Sequence, residues 1–163
     1  MIGPAQGIKG LSNLLGMNHL QVNIDFAVAA WNTVLSHEVF TVTGLVRALV
    51  IYRITGDLAG GAGATIQFGR EGDTDAYNVA RVVTELDAGE VVSPIAANTP
   101  VGVIAFEDFF GDAANLADLI LDGLDLGYEI AVNPATGGAI QAHCFWTPIS
   151  TDGLVAAGAG GAL

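Results

Sequence analysis

A single cysteine, Cys144, is all the chain has. No intrachain disulfide, CxxC metal site or dithiol redox pair can form from one thiol, and a reducing compartment is compatible with it. Cations are almost as scarce. Five lysines and arginines stand against seventeen acids, a net charge of −12, so no basic footprint for nucleic acid or for an anionic membrane surface can be assembled. Charge of either sign is low, at 13% of residues against about 25% in ordinary domains. Although 52% of residues are hydrophobic and mean hydropathy is +0.53, no apolar run reaches the roughly 18 residues a spanning helix needs. The first residues lack the charged-then-apolar order of a secretory leader, so none is expected. A chain this poor in charge is expected to hide surface in an assembly.

Chemical constellations are missing as well. His19, His37 and His143 include no two at ligand spacing on one element, and each reads as a surface or satisfied strand histidine. Ser36-His37-Glu38 is contiguous, whereas a triad converges from separate segments. Cys144 sits on an alternating strand with no nucleophile signature around it, which suits a small core side chain. Glu71, Asp73 and Asp75 begin like a calcium loop, but the closing glutamate and flanking helices of an EF-hand are not offered. The glycine-rich residues 57–64 contain no GxxxxGK[ST] and read as turn chemistry. Glu107 and Asp108 are adjacent and would point apart on a strand. No catalytic residue, cofactor site or metal ligand is assigned, and a non-enzymatic protein is expected.

What is present is alternation. Val46, Ala48, Val50, Tyr52 and Ile54 fall on one face of residues 45–55, with Leu45, Arg47, Leu49, Ile51 and Arg53 on the other. A period of two rich in β-branched residues predicts a strand with its first face buried. Residues 37–43 alternate again, and Gly44 sits where a bend or bulge is wanted. Further strands are expected at 25–34, 65–69, 76–86, 90–95 and 101–106; 107–121 stays open between a short helix capped by Asp112 or Asn115 and, the favoured reading, a loop then strand. Residues 127–132 and 139–147 read as a hairpin closed by residues 133–138, NPATGG. The prediction is an all-β protein: a single antiparallel β-sandwich or jelly-roll-like barrel over residues 25–150. An extended N-terminal arm, residues 1–24, precedes it, and a small-residue tail, residues 151–163, flexible unless a neighbour pins it, follows. Leu11, Leu14 and Leu15 of the arm, with Phe109 and Phe110, are the interface residues expected from hydrophobicity alone.

The segments WNTVLSHEVFTVTGLVRALVIYRIT, ATIQFG, LDAGEVV and FWTPISTDGLVAAG together resemble small β-rich structural proteins of tailed-bacteriophage virions. They are most similar to capsid decoration, or cement, proteins. The resemblance spans roughly residues 25–158 and carries no chemistry. It implies a barrel or jelly-roll domain, commonly a homotrimer, seated on the outside of the capsid with its arm gripping the shell. The major capsid protein and further copies of the chain would be its partners, with no nucleic acid and no membrane. The virion would be its location after synthesis in the host cytoplasm. The alternatives are a tail, baseplate or head-fibre component, or a carbohydrate-binding jelly roll using Trp31, Trp146 and Tyr128.

Overall fold

The computed structural model describes residues 16–94, 104–105 and 118–163. Alternation begins earlier than residue 25. Leu20, Val22 and Ile24 interleave with His19, Gln21 and Asn23, and strand β1 is Asn18–Asp25, all but its last residue in the stretch expected to be an arm. Of residues 25–34, expected as the first strand, Asp25 closes β1 and the rest are a loop with a one-turn helix, α1 (Ala29–Asn32). The Asp25 side chain accepts from the Ala27 N–H, and the Asn32 amide donates to the Phe26 carbonyl. These local bonds compete with a ladder and win.

The stretch expected as a bent spine becomes two strands, β2 (Ser36–Thr43) and β3 (Leu45–Gly60). They are joined at Gly44, whose φ of +61° favours glycine. Then come β4 (Thr65–Arg70), β5 (Arg81–Val82), β6 (Glu90–Val92), β7 (Ile104–Ala105), β8 (Leu119–Asp122), β9 (Leu126–Ala131), β10 (Ala135–Pro148) and β11 (Leu154–Ala157). Of the strand expected over 76–86, only β5 forms. Val83–Glu85 tightens into a 3-10 turn, which turns Val83 and Leu86 inward to pack in the core.

The protein is nearly all β, and every strand pair is antiparallel. Sheet A runs β1-β10-β3-β6-β7, with β8 also on β3, and sheet B runs β11-β2-β9-β4-β5. Most connections change sheet. The expected hairpin at NPATGG is one of these: β9 lies in sheet B and β10 in sheet A, so Asn133-Pro134 turns a corner and closes no hairpin. The glycine-rich connection from β3 to β4 likewise crosses between sheets. Pairing follows a nested order. β4 meets β5, β3 meets β8, β2 meets β9 and β1 meets β10, as if one long hairpin had been rolled up.

Side chains from both sheets share one core. All five residues of the expected buried face of β3 are in it: Val46, Ala48, Val50, Tyr52 and Ile54. Ile140, Ala142 and Cys144 line it from β10, and Phe40, Ile66, Phe68, Tyr128 and Ile130 from sheet B. Tyr52 lies 4.4 Å from Phe68 between ring centres, and Phe26 meets Tyr128 edge-on at 5.8 Å. Burying each such ring is worth about 2 kcal/mol or more. Leu49, Ile51, Val91 and Phe145 are buried too. By strand alternation they stand on the face of sheet A turned away from that core.

Residues 151–163 are not a free tail. β11 pairs with β2 from Leu154–Thr43 to Ala157–Phe40. Beyond it Gly158 and Gly160 donate to the Val39 and Glu38 carbonyls, and the Glu38 N–H donates to Gly161.

Candidate functional site

The five interface residues expected from sequence, Leu11, Leu14, Leu15, Phe109 and Phe110, lie outside the described residues. So does most of the expected arm. The described residues carry other groups whose placement matters.

His37 is fully buried beside Tyr128, its ring stacked at 5.0 Å. Nδ1 lies 3.1 Å from the Gly160 carbonyl and Nε2 2.9 Å from that of Thr33, so the imidazole ties the C-terminal segment to the loop before β2. Tyr128 donates to the Trp31 carbonyl at 2.7 Å. That burial removes Tyr128 from any sugar-binding surface, and Trp31 and Trp146 pack against the core. Cys144 is buried on the core face of β10. Burial pushes its thiol up to about 12, leaving too little thiolate for a nucleophile.

His19 and His143 meet on the outer face of sheet A. Their rings are nearly parallel, with Nε2 of His19 3.1 Å from Nδ1 of His143, and His19 also stacks on Phe145 at 4.5 Å. His143 Nε2 is buried without a hydrogen-bond partner. A proton on that nitrogen would be an orphan donor, so the better tautomer donates from Nδ1 to His19 and leaves only a lone pair facing apolar surroundings. Burial, then the neighbouring His19 and Arg53, lower the His143 pKa from 6.5 to about 4. The folded state therefore refuses a proton that the unfolded chain accepts, and stability falls as pH drops from about 6.5 toward 4. At pH 4.5 the loss is about 2–3 kcal/mol. His143→Leu is expected to shrink the stability difference between pH 7 and pH 4.5 by about that amount in urea titrations. An unchanged difference would refute the assignment.

Charge is unevenly placed. Glu71, Asp73, Asp122, Asp125 and Asp152 gather where β4 ends and β2 turns into β3. There Glu71 N–H donates to Asp125 O, Gly123 N–H to Gly44 O, and the Asp125 carboxylate accepts from Val42 N–H. Burial and the nearby Asp125 raise the Glu38 carboxyl pKa. Among the described residues, no three or more His, Cys, Asp or Glu side chains converge as a metal ion would need. No helix among them is long and apolar enough to cross a membrane. Arg47 pairs with Asp118 and Arg70 with Asp73. Both pairs are exposed enough to contribute little.

The opposite end of sheet B is apolar. Thr65 pairs with Ala131 on one side and Val82 on the other. The Ile130 N–H bonded to the Leu35 carbonyl at 3.0 Å brings Val34 level with Ala131. Val34 is 46% exposed, Val82 38% and the adjacent Val132 69%. Val132 has φ +71° and is the one non-glycine residue with positive φ among those described. For a β-branched residue that conformation costs about 1–2 kcal/mol. Sequence reading passed over it, taking Val132 for the last residue of a strand. The only signal available was a valine directly before Asn-Pro, where a turn residue would be expected.

No family model, curated protein or solved structure matches the chain.

Proposed function

We propose that the protein is a non-enzymatic structural protein of a tailed-phage virion, a decoration protein that binds the outside of the assembled capsid and stabilises it. The observation that carries this reading is the nested pairing of β4 with β5, β3 with β8, β2 with β9 and β1 with β10, folded across two sheets. It supports a jelly-roll sandwich, an architecture used by viral capsid domains and also by lectins and cupins. Fold alone does not choose among those. The low charge of the chain and the burial of Tyr128 and Cys144 weigh against the sugar-binding and catalytic members. The phage-like motifs weigh toward the virion.

A protein that binds only the assembled shell deepens that state by RT ln(1 + [L]/Kd) per site, multiplied over many copies. Purified chain mixed with shells that lack it is expected to cosediment saturably, at a copy number that follows the capsomers, and to raise the temperature at which the shells rupture. Failure to cosediment at micromolar concentration would overturn the reading. Labelling of the tail or baseplate instead of the head would replace it with the tail alternative.

A further inference from the structure

We propose that His37 carries a proton on both ring nitrogens in the folded protein, and that this imidazolium is a pH-sensitive latch holding the C-terminal segment on sheet B. The geometry asks for two donors. Nδ1 faces the Gly160 carbonyl oxygen at 3.1 Å, and Nε2 faces that of Thr33 at 2.9 Å. Carbonyl oxygens only accept, and a neutral imidazole has one N–H, so its bare nitrogen would set a lone pair against a carbonyl. His37 is fully buried, where such a clash is poorly screened. With a proton on each nitrogen, both contacts become charge-assisted hydrogen bonds.

Burial disfavours the charge, and the surroundings offset that cost. The Tyr128 ring stacked at 5.0 Å offers the cation a π face, and the chain as a whole carries −12, a field that favours positive charge. No competing cation packs on the ring. Residues 26–35 and 158–163, which supply the two carbonyls, contain no ionisable side chain. From β9 the facing group is Tyr128, kept neutral by burial. Glu38, next to His37 on β2, alternates to the other face. Burial likewise keeps Tyr52 and Cys144, elsewhere on the core face, neutral.

Loss of one proton undoes one contact. The neutral ring keeps the shorter bond, to Thr33, and turns a lone pair toward Gly160. Gly160 belongs to a segment that bonds β2 through the backbone of Gly158, Gly160, Gly161 and Leu163. From 158 to 162 its residues are glycine and alanine, so little side-chain burial replaces the lost bond. The latch is therefore closed in acid and loosens as pH rises, the opposite sense to His143.

Nitrogen-15 NMR of the full chain at pH 7, where an ordinary histidine is largely neutral, is expected to show protons on both His37 ring nitrogens. When the pH is raised until one is lost, the Glu38 and Gly160 amides should lose about tenfold or more of their exchange protection, after correction for base catalysis. The amides of β1 should keep theirs. In His37→Gln, which has no proton to lose in this range, the Glu38 and Gly160 amides should be less protected at pH 7 and indifferent to pH. A single protonated ring nitrogen at pH 7 would overturn the proposal, as would full protection of Gly160 after the proton is gone. If His37→Gln does not fold, those two wild-type measurements decide.

Discussion

Gly127→Ala is expected to prevent the protein from holding its second sheet together. Gly127 is the second residue of β9, opposite Glu38 of β2 on one side and Gly69 of β4 on the other. A Cβ placed there would run into the carbonyl oxygen of His37, with the carbonyl carbon 2.9 Å away. Backbone, unlike a long side chain, cannot turn aside, so relief requires β2 and β9 to separate. β2 is the strand on which β11 and the C-terminal segment are built. Alanine would restrict the unfolded chain and gain up to about 1 kcal/mol where it fits. Here overpacking against fixed backbone should exceed that severalfold, at about 4 kcal/mol or more. For a chain of this size that is a fall of about 10 °C in Tm, or no soluble protein at all. Gly72→Ala is the control, because nothing lies within 4 Å of its Cβ position and only backbone strain is added. A Gly127→Ala protein melting within a couple of degrees of wild type would show that the two strands are not this close.

The class of the fold was legible because period-two patterning survives in the strands that carry the core. Val46 to Ile54 and Ile140 to Cys144 behave as their alternation says. The path of the chain was not legible. A short Gly- or Asn-Pro-containing link between two alternating runs reads as a hairpin whether the second strand pairs with the first or passes to the facing sheet. Residues 133–134 do the latter, and Gly44, read as a bend or bulge, also passes the chain to the facing sheet. The partners of the core strands lie far along the chain, as with Ile24 and Ile140, and no local signal encodes them. The true first strand, β1, was missed because glycines upstream of Asn18 suggested an arm. Its own alternation of Val22 and Ile24 with Gln21 and Asn23 was already visible. The histidine pair was hidden for a related reason. His19 and His143 sit at polar phase on strands more than a hundred residues apart, and only the register of β1 on β10 brings them together.

The C-terminal segment offers the second large effect. Its run of glycine and alanine suggested a flexible tail, yet small residues are also what a close approach demands. A Cβ on Gly158 would meet the Glu38 carbonyl oxygen at 2.7 Å, and one on Gly160 would meet the Ala30 carbonyl oxygen at 2.7 Å and the Trp31 ring at 3.0 Å. Deleting residues 154–163 removes Val155 from the core, strips the Gly160 acceptor from the buried His37, and leaves β2 as a bare edge. The ordering entropy released by ten residues, about 1–2 kcal/mol each, offsets much of the lost bonding. The dominant consequence is therefore the edge itself: a strand of alternating apolar residues with unpaired N–H and C=O groups, which recruits other chains. The truncated protein is expected to aggregate on purification, and a synthetic peptide of residues 151–163 supplied during refolding should restore a soluble species by pairing with β2. A soluble truncated protein with unchanged melting temperature and no affinity for the peptide would mean that β2 needs no cover. The C-terminal segment would then be free to serve as a contact with other subunits.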